Sequence, residues 1–234
     1  MIAIPAVSLT SNLISHSEDV QGQRRSRPGS PTSTARELAD LGFSRLYVSN
    51  GGTTAGTATS ELEELIRDAD ARVQVGAVGA TAEVEQLFRA GADVVVVGDR
   101  GIDEPEWLAD VADLYPDAVA VQTDVRDRRV VRRGWVRSLP IDIVDLVDEL
   151  NGLPLGELVV SIRALDASMR FGDLALLEDV AERCRFPVFV AGGVSTIQDL
   201  RALEHRGIAG AVIDAEKLLH GQLDARAVAQ EFGA

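Results

Sequence analysis

The stretch PVFVAGGVSTIQDL, residues 187–200, sets two consecutive glycines, Gly192 and Gly193, between an apolar run and a helical pattern opening near Ser195. Glycines at such a point let backbone N–H groups approach an anion, and a helix start adds its positive end. The combination is a candidate phosphate cup, although glycine pairs also serve plain tight turns. A second candidate is the polar run SHSEDVQGQRRSRPGSPTS, residues 15–33, in which Arg24, Arg25 and Arg27 stand among Gly, Ser and Pro. A loop of that length inside a compact domain is functional or mobile, or here simply a solvated basic surface. The three histidines, His16, His205 and His220, show no metal-ligand spacing, so neither a metal nor a cofactor is expected. Cys184 lies in the helical run LLEDVAERC and reads as a small core residue rather than a nucleophile.

Composition narrows the partners. At 234 residues and 46% hydrophobic, the chain is long enough for one sizeable core. A net charge of −14 repels nucleic acid and anionic membrane surfaces, both of which call for a basic face. A small phosphorylated metabolite is a compatible partner. One cysteine cannot make an internal disulfide, MIAIPAVSL has no basic lead-in, and no run approaches the ~20 apolar residues of a membrane span; a cytoplasmic protein is expected.

Eight short Val/Ile/Leu-rich runs recur: IAIPAV, RLYV, RVQVG, ADVVVVG, AVAVQT, ELVVSI, PVFVAG and GAVID. Several are apolar throughout, as strands buried on both faces are. Helical patterns alternate with them, from TARELADLG to ARAVAQEF, in equal number. An α/β fold of the (β/α)8 TIM-barrel type, a single domain over residues 1–234, accounts for that count. An open doubly wound sheet is the competitor. Internal repetition disfavours it, because VQVGAVGATAEVEQLFRAGADVVVVGD resembles VFVAGGVSTIQDLRALEHRGIAGAVID, as if one half-barrel had been written twice. The loops after the strands would then gather at one face, where barrel active sites are built, with the phosphate site after strands seven and eight.

The start IPAVSL, the pair VQVG and VVVVG, the segment DVRDRRVVRRGW after the fifth strand, and AGGVSTIQDL together resemble the histidine-biosynthesis barrels over essentially the whole chain. The GW after the strand-five segment brings it nearer the isomerase branch of that family. The resemblance implies an Amadori-type conversion of an aminoaldose to an aminoketose, by a monomer, with carboxylates at the ends of strands one and five as an acid–base pair. Asp124 in VQTDVRD stands at the strand-five position, while Ser8 stands where the family's PALDL has its aspartate. A serine hydroxyl needs another base to act as one. Ser49 likewise stands at the family's strand-two aspartate, beside Asn50; Ser161 takes the strand-six threonine, Ile162 follows it, and Asp166 and Ser168 remain of the next loop.

The same comparison places Gly76 and Gly98 in the first-half phosphate cup, with Ala77 and Val78 at glycine positions and Asp99 after Gly98. Asp214 ends strand eight where the family has glycine. It either points into the cup or caps the helix AEKLLHG. His16 falls near Ser8 and Asp124 in this register and could act as a base near neutral pH, or be a surface residue. Trp135 of the GW pair could stack on a substrate ring or pack at the barrel mouth, and Trp107 reads as helix core. Three outcomes stay open: the histidine-pathway isomerase itself, an enzyme on a related sugar phosphate or ribonucleotide with a diverged active site, and a non-catalytic scaffold for a ligand or protein.

Overall fold

The structure is a computed structural model. It describes residues 1–9, 30–49, 59–132, 137–162 and 171–234. Strands β1 (Ile2–Ser8), β2 (Arg45–Ser49), β3 (Arg72–Val78), β4 (Val94–Val97), β5 (Val119–Arg126), β8 (Glu157–Ile162), β9 (Val188–Ala191) and β10 (Gly210–Asp214) pair in parallel, each with the next. Pairing of β10 with β1 closes the ring. All eight expected strands are present, and the fold is the expected (β/α)8 barrel. The antiparallel strands β6 (Arg129–Arg132) and β7 (Arg137–Asp142) extend the sheet from the far end of β5.

Helices α1 (Pro31–Asp40), α2 (Thr59–Asp68), α3 (Thr81–Ala90), α5 (Pro105–Leu114), α6 (Ile143–Leu150), α7 (Phe171–Arg183), α8 (Ile197–Glu204) and α10 (Ala225–Phe232) follow the periodic segments. Their ends have local causes. Ser30 caps α1 ahead of Pro31, whose missing N–H and fixed φ suit a first helical position. Gly91 ends α3 at φ 102°, a left-handed conformation that only glycine adopts without strain. Two helices of five residues, α4 (Asp99–Asp103) and α9 (Ala215–Leu219), follow β4 and β10. The repeated sequence segments thus share one plan, strand, helix, strand and short helix, at β3–α3–β4–α4 and β9–α8–β10–α9.

Strand residues alternate between two cores. Inside the barrel lie Ile4, Tyr47, Val94, Val96, Ala120, Val159, Phe189 and Val212, whereas the other faces join the helices in an outer shell. The four valines of β4 are at most 1% exposed, which explains their unbroken apolar run. The interior also holds charge. Arg45 and Glu157 open β2 and β8, which lie on opposite sides of the ring, and form an ion pair between side chains only 7% and 9% exposed. The Arg45 guanidinium lies 5.1 Å from the centre of the Phe189 ring. Gly210 leaves room for that ring, since a Cβ there would overlap it.

A buried ion pair costs desolvation that its own attraction only partly offsets, but removing one partner strands the other. Arg45→Met should therefore destabilise the barrel by about 3–5 kcal/mol in urea unfolding. Arg45→Met combined with Glu157→Gln should recover part of that loss; equal losses in the two variants would show that the pair is not its source.

Candidate active site

The C-terminal ends of the strands bring the sequence candidates to one rim. Ser8 is in register with Ser49 across β1 and β2, and Asp124 with Ser161 across β5 and β8. Because β1 and β5 stand opposite each other in an eight-stranded ring, the two serines face Asp124 and Ser161 across the mouth. Ser8 is exposed, Ser49 and Asp124 are half-buried, and Ser161 is buried. Asp124 also pairs with Val131 of β6, so the strand that carries it is held on both edges. Arg128 secures the β5–β6 turn: it reaches Asp179 on α7 at 2.7 Å and Asp142, the cap of α6, at 3.2 Å.

Below Asp124 runs a line of polar side chains. The Tyr47 hydroxyl donates to Gln122 Oε1 at 2.9 Å, and Gln122 Nε2 donates to Ser161 Oγ at 2.9 Å. The Ser161 hydroxyl in turn bonds the Asp124 carboxylate. Gln122 lies two residues before Asp124 and Tyr47 two before Ser49, on the same faces. That period-two relation was the available signal for two residues that the motif reading passed over. Gly76 completes the arrangement, because a Cβ at that position would overlap the Tyr47 hydroxyl and ring.

Burial pushes the Asp124 carboxyl above the usual aspartate range. The Ser161 hydrogen bond pulls it back, and the charge of Asp99, at the start of α4, adds to the upward push. A carboxyl so placed is suited to hold a proton longer than a surface aspartate and to give it up at the mouth. Burial also pushes the Tyr47 phenol up, to about 12, so it remains a donor throughout the neutral range.

Farther round the rim, beyond β8, Gly192 and Gly193 after β9 take φ values of 88° and 73°. A side chain at Gly192 would run into the Ile162 carbonyl. Helix α8 starts two residues later than the sequence suggests, at Ile197 with Thr196 as cap, because Asp199 and Thr196 form a capping box. The Asp199 carboxylate accepts from the backbone N–H of Ser195 at 2.9 Å and of Thr196 at 2.8 Å. Asp214 takes the capping alternative, accepting from Glu216 N at 2.9 Å. Lys217, the one lysine in the sequence, donates to the Val194 carbonyl at 2.9 Å and so joins α9 to the loop after β9. Sequence reasoning missed it. A lone cation on the helix after strand eight was the signal.

Gly98 caps α4 and sits at the end of β4, beside Asp99. Away from the rim, Cys184 is half-buried with its thiol pushed up by burial, His205 and His220 cap the ends of α8 and α9, and Trp107 donates to Thr81 from the outer shell. His16, Arg24, Arg25, Arg27, Asn50, Trp135, Asp166 and Ser168 lie outside the described residues. Among the described residues no group of His, Cys, Asp or Glu could hold a metal ion, and no helix is long and apolar enough to cross a membrane.

A closed parallel barrel with a half-buried carboxyl at the end of β5 and hydroxyls at the ends of β1, β2 and β8 defines the class of (β/α)8 proteins that carry their site at the C-terminal rim. Residues 3–224 match the histidine biosynthesis protein family. The chain belongs to that family. A protein of Gemmatimonas aurantiaca is 39% identical with both chains covered in full, one of Myxococcus xanthus 42% over 67% of this chain and 66% of its own, and one of Bifidobacterium longum 32% over 75% of each. All three bear the name 1-(5-phosphoribosyl)-5-((5-phosphoribosylamino)methylideneamino)imidazole-4-carboxamide isomerase.

Two stability predictions arise from this geometry. Gly76→Ala should cost about 1–3 kcal/mol through overpacking against Tyr47, a fall in Tm of about 2–4 °C per kcal/mol for a domain of this size. Tyr47→Phe in that background should return part of it, and a neutral Gly76→Ala would contradict the contact. Asp124→Asn should raise Tm at neutral pH, since a carboxyl whose folded pKa is raised destabilises in its ionised form. That gain should shrink as pH falls through the folded pKa and vanish below the unfolded value of about 3.9; a pH-independent difference in thermal melts would contradict the shift.

Proposed function

We propose that the protein is a phosphoribosyl isomerase that converts a phosphoribosylamino-imidazole-carboxamide ribotide from aldose to ketose, with Asp124 as its proton-transfer residue. The observation that carries this reading is the position and raised pKa of Asp124 at the C-terminal end of β5. Family membership and the isomerase names of the relatives support the substrate class.

The chemistry can be written with that one carboxyl. Protonated Asp124 gives its proton to the sugar ring oxygen as the C1–O bond breaks and the nitrogen lone pair forms a C1=N bond. The carboxylate then accepts the C2 proton, and the C2–H electrons move to C1=C2 as the C=N electrons return to nitrogen. Tautomerisation of the resulting enolamine gives the ketose. Ser8, Ser49 and Ser161 supply hydroxyls around the sugar, where a second carboxyl would otherwise divide the two transfers. Substrate with a phosphate at each end suits a barrel whose two halves repeat. In this reading Gly192, Gly193 and Ser195 take one phosphate with Lys217 close by, and the rim near Gly76 and Gly98 takes the other. The sequence and its family resemblance add three roles for residues outside the described set: Arg24 as a phosphate cation, Trp135 as a stacking surface and His16 as an auxiliary base.

Turnover of the ribotide by the purified protein, with loss of at least 10²-fold in Asp124→Asn, is the expected result. Binding should also register as heat stability, about 2.7 kcal/mol at a ligand concentration 100 times Kd. Stabilisation by ribotide without turnover would replace the isomerase with a binding scaffold. Undiminished turnover in Asp124→Asn would remove that residue from the chemistry.

A further inference from the structure

We infer that Tyr47 and Gln122, deep in the barrel, are positioning residues that aim the Ser161 hydroxyl at Asp124 and so set the protonation of the rim carboxyl from inside the core. The inference rests on the isomerase reading only for its kinetic consequence.

The direction of every proton in the line is fixed from the buried end. Tyr47 is 7% exposed, and its hydroxyl stays protonated across the neutral range. A buried O–H without an acceptor is costly, so the phenol holds Gln122 with its carbonyl oxygen toward Tyr47. The amide nitrogen is then turned toward Ser161, whose oxygen accepts from it at 2.9 Å. With a donor on its oxygen, the Ser161 hydroxyl has its own proton left for Asp124. Were the Gln122 amide turned over, its oxygen would take the Ser161 proton and Asp124 would lose that donor. The amide orientation is thus a two-position element, and Tyr47 decides the position.

The location supports a dedicated arrangement. Tyr47 and Gln122 lie 75 residues apart on strands that are not neighbours, and they meet only through the barrel interior. The hydroxyl reaches Gln122 past Gly76, where any side chain would overlap it. Polar groups in a closed apolar interior carry a desolvation cost unless they are paired, and this line is paired at each step.

The test is a 13C carboxyl NMR titration of Asp124, its signal assigned by its loss in Asp124→Asn. Tyr47→Phe and Ser161→Ala should each move the Asp124 midpoint upward, because each removes the hydrogen bond that favours the ionised form. The Tyr47→Phe/Ser161→Ala double variant should move it no further than Ser161→Ala alone. Gln122→Met, which offers Ser161 neither a donor nor a strong competing acceptor, should move the midpoint less than Tyr47→Phe does, and a shift as large overturns the amide-orientation argument. Where turnover is present, the limb of the kcat–pH profile that tracks Asp124 should move in the same direction. An unmoved midpoint in Tyr47→Phe, or an equal extra shift in the Ser161→Ala background, overturns the inference. Absence of turnover with the titration behaving as described overturns the isomerase reading and leaves the positioning line standing.

Discussion

Closing eight parallel strands into a ring forces every second side chain into one interior that water does not enter. A polar group placed there costs desolvation unless it brings its partner with it, a cost that Gln74 on β3, fully buried with both amide atoms unpartnered among the described residues, bears. The middle of the barrel meets this constraint with Ile4, Val94, Val96, Ala120, Val159 and Val212. The two ends meet it with polarity, Arg45 with Glu157 at the floor and Tyr47 with Gln122 and Ser161 beneath the mouth. Glycines at positions 76 and 210 are the complement of this filling, each leaving room for a large ring on a neighbouring strand.

The rim inherits its electrostatics from that interior. Asp124 stands at the boundary where burial raises its pKa and a hydroxyl supported from below lowers it. The two influences oppose each other at one carboxyl, and burial prevails. At the ends of β9 and β10 the backbone amides proposed for phosphate are partly engaged by the chain's own carboxylates, since Asp199 holds the amides of Ser195 and Thr196, and Asp214 that of Glu216. Lys217 brings positive charge to the same corner of a strongly acidic protein. An anion approaching that corner would meet an unfavourable overall field and the local charge of Lys217.

The strands were legible because β-branched apolar runs between turn signals leave few alternatives, and the repeat of residues 73–99 in 188–214 settled open sheet against closed ring. Period two also held the information of which residues share a face, as Tyr47 with Ser49 and Gln122 with Asp124. What it could not reveal is which residues meet across the interior. Arg45 with Glu157 and Tyr47 with Gln122 are pairs on non-neighbouring strands, and their meeting depends on the stagger of the whole ring. The role of Asp214 was readable as one of two options because a cap and a cup use the same amides. Helix α9 was read in AEKLLHG, but α4 was not, since five residues span little more than one 3.6-residue turn and give no repeat to recognise.

The seam between β1 and β10 has a further consequence for how the ring is made. Ile2–Ala6 find their partners in Gly210–Asp214, about 200 residues along the chain. On a ribosome, β1 is translated before the other strands and its outer edge stays open until β10 has emerged. During that interval an apolar strand and the growing edge of the last completed strand both present unpaired backbone, the condition under which nascent chains join the wrong neighbour. The barrel has no edge in its finished ring, but it has two for most of its synthesis.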